Sequence, residues 1–130
     1  MKKYTIFYSN VAFALIAGFV FMLVSCASTV DAMTAEAYFD RGIAYFYNGD
    51  YDKAIADYTQ TIRLDPDNVI AYYNRGVAYH DKGDYDKAIA DYTQAIKIYP
   101  EYAAVHNNRG IAHDNNGEYD KAIADYTQAI

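Results

Sequence analysis

The chain has 130 residues, of which 17 are Asp or Glu and 11 are Lys or Arg, so its formal net charge at pH 7 is −6. An acidic chain without a basic run repels nucleic acid and anionic headgroups, and its charge therefore argues against both as partners. The single cysteine excludes an internal disulfide.

Residues 1–25 have the order of segments found in an export signal. Lys2 and Lys3 form a basic start, residues 11–24 form an almost wholly apolar run, and the tetrapeptide Leu23-Val24-Ser25-Cys26 follows. This tetrapeptide resembles the lipobox of bacterial lipoproteins. The resemblance implies cleavage before Cys26, lipidation of Cys26 and anchoring of the chain to a bacterial membrane through more than one acyl chain.

The same segment indicates where the chain is sent. Ala27, which follows the cysteine, favours by this resemblance the periplasmic face of the outer membrane. Two other interpretations stay open: a retained membrane helix over residues 4–24, and an ordinary secretory peptide with Ser25-Cys26-Ala27 as its small-residue cleavage site. All three place the rest of the chain outside the cytoplasm.

After a small and polar tether at residues 26–34, the chain is a threefold repeat. The block at 83–94 recurs at 49–60 without change and at 117–128 with one Asp-to-Glu change, so the block starts are 34 residues apart. Fixed self-similarity at this period is typical of stacked helical hairpins, which build surfaces rather than reaction centres. The three units are 35–68, 69–102 and 103–130.

Glycine and proline mark the turns of each unit, numbered here from positions 1 to 34. Glycine at position 15 predicts a turn with positive φ, and proline at position 32 separates one hairpin from the next. Glycine at position 8 lies inside the first helix, where it costs about 1 kcal/mol relative to alanine. Its recurrence predicts that two helices approach closely at Gly42, Gly76 and Gly110.

The repeat resembles the tetratricopeptide repeat, which has aromatic residues at positions 4, 11 and 24, Gly at 8, Ala at 20 and Pro at 32. In the second unit these are Tyr72, Tyr79, Tyr92, Gly76, Ala88 and Pro100. The resemblance covers residues 35–130. It implies an all-α fold of three hairpins in a short right-handed superhelix, with helix A at positions 2–14 and helix B at positions 18–30 of each unit.

The third unit stops inside helix B, before its proline. Its last helix is therefore expected to expose an apolar face, because no further helix follows in this sequence to cover it. Terminal repeats normally have a polar outer surface, which keeps the array soluble. Either the chain is a fragment of a longer repeat protein, or a partner or a second copy covers that face.

Two sets of recurrent charges have structural interpretations. Aspartates at position 18 stand at the start of each helix B, where a carboxylate can cap free N–H groups and oppose the helix dipole. Arginine replaces the family's leucine at position 7, and aspartate recurs at position 23; we expect these to pair, because buried charges are normally paired. A cationic row for an acidic ligand is the alternative. The arginines are Arg41, Arg75 and Arg109; the aspartates are Asp57, Asp91 and Asp125.

No group of residues suggests catalysis, a cofactor or a metal. There is no cysteine outside the lipobox and no glycine-rich phosphate loop. His80 and His113 occupy different repeat positions, so they do not form a recurring ligand pair, and a zinc site needs three or four ligands. The tyrosines at positions 4, 11, 17 and 24 are interpreted as packing residues.

The remaining candidate site is the concave groove that helix A lines in the tetratricopeptide family. Its residues vary between the units, from aromatic near the tether to polar and acidic at the far end, while helix B barely changes. An extended or helical segment with an apolar anchor and a basic or polar end would fit it. The predicted groove residues are Phe39, Ile43, Phe46, Tyr47, Ile70, Tyr73, Asn74, Val77, His80, Asp81, Asn107, Asn108, Ile111 and Asp114.

These features predict a protein–protein interaction scaffold of the bacterial cell envelope that binds a protein or peptide partner. The groove lacks Lys and Arg at its lining positions, which argues against a clamp for the carboxylates of chaperone tails. The alternative is an assembly factor, either a pilotin-like lipoprotein that escorts a secretin or an adaptor for a peptidoglycan enzyme.

Overall fold

The computed structural model describes residues 33–130; the predicted export signal, Cys26 and most of the tether lie outside the described residues. The described part forms six helices, which are α1 (Ala35–Tyr47), α2 (Tyr51–Leu64), α3 (Val69–Asp81), α4 (Tyr85–Ile98), α5 (Ala103–Asn115) and α6 (Tyr119–Gln128). Each helix packs against the next, giving three stacked hairpins. The predicted all-α class is confirmed, and the helices of the first two units begin and end within one residue of prediction.

None of the helices between residues 33 and 130 combines the length and the apolar character that crossing a bilayer requires.

Capping side chains begin two of these helices, and the predicted glycine turns follow the first helix of each hairpin. The side chains of Thr34 and Asn68 accept hydrogen bonds from the backbone N–H of Ala37 (3.1 Å) and Ala71 (2.9 Å), which caps α1 and α3. The glycines of the tight turns all have positive φ, for example +83° at Gly83. This left-handed conformation reverses the chain between the helices of each hairpin.

The core of each hairpin is a tyrosine of helix B laid against the glycine of helix A. A Cβ on Gly76 would lie only 2.6 Å from Cε1 of Tyr92, and a Cβ on Gly42 would lie 2.8 Å from Cε1 of Tyr58. Ala54 and Ala88 beside them are fully buried. The glycine therefore makes room for the tyrosine ring, which is the close approach predicted from its recurrence.

The arginines at position 7 pair with the aspartates at position 23 of the same unit. Arg75 donates from Nε and Nη2 to the two carboxylate oxygens of Asp91, at 2.8 and 2.7 Å. Arg41–Asp57 and Arg109–Asp125 have the same geometry. Burial tends to lower the pKa of Arg75, but the hydrogen bonds and charge of Asp91 outweigh it and the pKa is raised.

The aspartates at position 18 do not cap helix B. Asp52 and Asp86 lie in the first turn of their helices, and their carboxylates accept hydrogen bonds from the following unit. Asp52 accepts from the Lys82 ammonium, and Asp86 accepts from the Asn116 amide at 3.0 Å. The interpretation as caps was wrong because the stacking of hairpins brings position 14 of the next unit to these carboxylates.

The tyrosines are less uniformly buried than predicted. Tyr58 and Tyr92 at position 24 are in the core and Tyr126 is half-buried, whereas those at positions 4, 11 and 17 are half-buried or exposed. The guanidinium carbon of Arg75 lies 5.7 Å from the ring centre of Tyr72, so position 4 packs against a charge. In the third unit His106 and His113 replace these rings and lie 3.8 Å from the Asp125 carboxylate.

Candidate functional site

The first helices of the hairpins, α1, α3 and α5, form the candidate binding surface. They lie side by side, since α3 contacts α5 as well as its own hairpin partner. Two adjoining cavities open on this surface and share Val77 as a common wall. We call the surface formed by both cavities the groove. The first cavity, of about 130 Å³, is lined by Ile43, Phe46, Tyr47, Tyr58, Asn74 and Val77. The second, of about 140 Å³, is lined by Val77, His80, Asp81, Tyr92, Asn108 and Ile111.

The first cavity is aromatic. Phe46 packs edge-on against Tyr47 with ring centres 5.9 Å apart, and Tyr47 is 83% exposed. Tyr58 forms the floor and is only 1% exposed, and burial raises its pKa to about 12. The Asn74 amide makes no hydrogen bond to any group within residues 33–130, so it is free to bind a backbone or side chain placed in this cavity.

The second cavity is polar and acidic. Nε2 of His80 lies 2.9 Å from the amide of Asn115, and Nδ1 lies 3.4 Å from the Asp81 carboxylate. A neutral ring with its proton on Nδ1 satisfies both contacts, since Nε2 then accepts and Nδ1 donates. Asn108 donates to the hydroxyl of Tyr73 at 3.0 Å. Exposed Asp81 is thus the charge that a ligand in this cavity meets.

Each cavity has the volume of one side chain rather than that of a small-molecule site. An apolar cavity of about 150 Å³ holds a benzene ring, whereas sites for drug-sized ligands measure about 300–1,000 Å³. The two cavities are one repeat apart, because each is built from the same positions of successive units. The groove can therefore receive two side chains of one extended or helical segment.

The structure brings together most of the residues that the sequence pattern predicted for the groove. Those lining the cavities are Ile43, Phe46, Tyr47, Asn74, Val77, His80, Asp81, Asn108 and Ile111. The others lie beside them: Phe39 and Tyr73 stack against the floor tyrosines, while Ile70, Asn107 and Asp114 are exposed.

Sequence reasoning missed the floor of the groove. Tyr58 and Tyr92 were interpreted only as core residues of helix B, but they also line the cavities. The signal was the glycine at position 8, because a helix A without a side chain there lets a large helix B ring reach the opposite surface.

The arginine row does not supply this surface with positive charge. The side chains of Arg75 and Arg109 are 17% and 19% exposed, and their guanidinium groups are bound bidentately by their aspartates. The Arg41 side chain is 45% exposed but is paired with Asp57 in the same way. Within residues 33–130 no three His, Cys, Asp or Glu side chains come together to hold a metal ion.

Comparison with known proteins agrees with this geometry. The model of the tetratricopeptide repeat family matches residues 39–103 and 81–130. The crystal structure of MamA is 32% identical with a TM-score of 0.75, over 78% of this chain and 59% of that chain. The chain thus spans less than two thirds of the MamA structure. No curated protein matches the chain.

Two further solved structures contain bound peptides or partners. The second repeat domain of Spaghetti (RPAP3), bound to the HSP90 peptide SRMEEVD, is 33% identical with a TM-score of 0.72, over 75% of this chain and 90% of that chain. The TPR2B domain of yeast Sti1 in complex with pHsp70 is 28% identical with a TM-score of 0.72, over 75% of this chain and 78% of that chain. No catalytic family is indicated.

Proposed function

This chain belongs to the tetratricopeptide repeat family, and we propose that it is a protein-interaction module that binds one segment of a partner protein in the groove. The observation that carries the proposal is the pair of side-chain-sized cavities, one aromatic and one acidic, in successive units. An apolar side chain would enter the first cavity, and a basic side chain would reach Asp81 in the second. We expect no catalytic turnover.

The charge of the groove argues for a partner unlike the acidic tail that Spaghetti binds. SRMEEVD carries two glutamates, an aspartate and a terminal carboxylate, whereas this groove presents Asp81 and has no Lys or Arg among its lining residues. Like charges facing each other across an interface oppose binding. A segment with an apolar anchor followed by Lys or Arg has the complementary charge.

Peptide binding measured by fluorescence anisotropy tests this proposal. Labelled peptides with one apolar anchor followed at varied spacing by Lys should bind, whereas the same peptides with Glu in place of Lys, and SRMEEVD, should not. Asp81→Asn should weaken the Lys peptides about tenfold, and Val77→Asp should abolish binding. Gln94→Ala, on an exposed position outside both cavities, is the matched control. Equal binding of Lys and Glu peptides, or insensitivity to both groove variants, would refute the proposal.

We also propose that the module works at the bacterial cell envelope, anchored through a lipid on Cys26. The support is the order of basic start, apolar run and lipobox-like tetrapeptide in residues 1–26. Two acyl chains or more give stable anchoring where one does not. Metabolic labelling with a clickable fatty acid should mark the wild-type chain and leave Cys26→Ser unlabelled. Labelling of both proteins, or of neither, would contradict lipidation at this cysteine.

A further inference from the structure

The hairpins of this chain stack through one recurring interface, in which helix A of a unit packs on helix B of the unit before. Positions 3 and 10 of helix A lie in it: Ala71, Ala78, Val105 and Ala112 in α3 and α5 are all fully buried. Their counterparts in α1 are not, since Ala37 is half-buried and Ala44 is exposed. The first helix therefore presents a copy of the helix A half of this interface that no other hairpin between residues 33 and 130 covers.

The interface also has a recurring set of hydrogen bonds. Arg75 Nη1 donates to the Thr59 hydroxyl at 3.0 Å, and one unit further on Arg109 Nη1 donates to the Thr93 hydroxyl at 3.1 Å. Each threonine donates its own proton to a carbonyl of its helix, that of Ile55 or Ile89, at 2.7 Å. The hydroxyl oxygen is thereby turned to accept from the next unit.

The last helix carries the acceptor half of this interface. Thr127 donates to the carbonyl of Ile123 at 2.8 Å, as Thr59 and Thr93 donate to the equivalent carbonyls of their helices. Its hydroxyl oxygen is therefore also oriented to accept a hydrogen bond. Asp120 repeats the carboxylates that accept from Lys82 and Asn116 inside the array. Ile123 is 64% exposed, whereas its counterpart Ile89 packs against the core.

The first helix carries the matching donor half. Arg41 lies at position 7, and within residues 33–130 its Nη1 has no hydrogen-bond acceptor. Its side chain is 45% exposed, against 17% for Arg75. Asn48 occupies position 14, the position from which Lys82 and Asn116 donate. Donors at one end of the array thus match acceptors at the other end, position for position.

We propose that a second copy of this chain docks head to tail, with α1 of one copy on α6 of the other. Arg41 would donate to Thr127, Asn48 to Asp120, and Ala44 would pack against Ile123 across the contact. The two halves lie on different surfaces of one molecule, so the contact is heterologous, and a heterologous contact that does not close into a ring adds further copies. The assembly would continue the repeat of the hairpins, with the groove of each copy left open.

Native mass spectrometry of the full chain, kept soluble in a nonionic detergent because residues 11–24 are apolar, tests this proposal. The wild-type chain should give masses at successive multiples of one copy that grow with concentration. Ala44→Asp and Ile123→Asp should each be monomeric, because either substitution places a carboxylate in the contact. An equimolar mixture of the two should give one heterodimer and nothing larger, since only one intact pair of surfaces remains. Ala56→Asp, on an exposed face of α2, should behave as wild type.

Circular dichroism must show the same helicity for all variants, and both substituted positions are exposed. A monomeric wild-type chain would overturn the proposal, as would oligomers that neither variant affects, which would place the contact elsewhere. Oligomers lost in Ile123→Asp but kept in Ala44→Asp would mean that α6 pairs with α6, and this result would also overturn it.

Discussion

Replacing Arg75 by leucine, the residue that the family pattern has at this position, should destabilise the array severely. Two charge-assisted hydrogen bonds to Asp91, at 2.8 and 2.7 Å, would be lost, and the Asp91 side chain is only 7% exposed. Two such bonds contribute about 1.5–3 kcal/mol each, and removing one partner of a buried pair costs about 3–5 kcal/mol. The whole free energy of unfolding of a domain is about 5–15 kcal/mol.

The double variant separates the cost of an unpaired carboxylate from the value of the pair. Arg75→Leu/Asp91→Leu removes both charges, and apolar replacement of a buried pair is often neutral or stabilising. We therefore expect the double variant to recover most of the loss. Arg41→Leu in the first unit is a matched comparison with a smaller loss, because this guanidinium is 45% exposed and does not contact a preceding unit within residues 33–130.

Urea unfolding followed by far-UV circular dichroism measures all four proteins. With a urea dependence of about 1–3 kcal/mol per molar, a loss of about 3–5 kcal/mol should lower the midpoint of Arg75→Leu by about 1–5 M. The double variant should return towards the wild-type midpoint. A double variant as unstable as Arg75→Leu, or a loss below about 1 kcal/mol for that single variant, would show that the buried aspartate does not need its partner.

Three further predictions concern packing, pH and the contacts between units. Gly76→Ala should lower the free energy of unfolding, because overpacking against the Tyr92 ring costs about 1–3 kcal/mol and exceeds the gain of about 1 kcal/mol in helix propensity; a net gain in urea midpoint would contradict this. Burial raises the pKa of Tyr58 to about 12, so its contribution to stability is present below pH 10 and is lost as the pH rises from 10 through 12. The melting temperature of Tyr58→Phe should therefore fall less than that of the wild type between about pH 10 and 12. Parallel curves of melting temperature against pH for the two proteins would refute the reasoning. Thr93→Val removes the acceptor of Arg109 and should cost about 0.5–1.5 kcal/mol in urea unfolding, whereas an unchanged midpoint would mean that this contact between units does not stabilise the array.

Much of the fold could be predicted because each local signal recurs in the same register. The glycine at position 15 needs positive φ, the glycine at position 8 leaves room for a ring, and Arg and Asp recur together, so three copies of each pattern indicate one geometry. Groove residues were predictable because they lie on helix A at the positions that vary between units. For Ile43, Val77 and Ile111 the repeat position alone was enough.

What could not be predicted depends on how one hairpin is placed on the next. Asp52 was interpreted as a cap because its position in the helix permits that role, but its carboxylate binds Lys82, which is 30 residues away. That contact depends on the angle between stacked hairpins, and the period of a sequence repeat does not give this angle. Tyr58 and Tyr92 were missed as groove residues for a related reason. Each ring packs in the core against the glycine of helix A and also lines a cavity of the groove.

The near-identity of the helix B block has a physical explanation in these contacts. Inside the hairpin, Ala88, Asp91 and Tyr92 are buried and hold helix A. Towards the next hairpin, Asp86 and Thr93 accept hydrogen bonds. Most positions of the block therefore serve one interface or the other, and a substitution at any of these disturbs packing within a hairpin or between hairpins.

Helix A packs against helix B of its own unit and, in the second and third units, against helix B of the unit before, but a further face is left to form the groove. At position 13, where Tyr47 and Asp81 are exposed, the groove can change without disturbing either interface, whereas Tyr73 and Val77 also pack against the core. Binding specificity in this chain should therefore be encoded by the A helices alone. Replacing exposed Asp81 by the tyrosine found at the same position of α1 should change the preferred peptide while the urea midpoint stays the same; a lower midpoint with unchanged peptide preference would show that this position stabilises the fold rather than selects the partner.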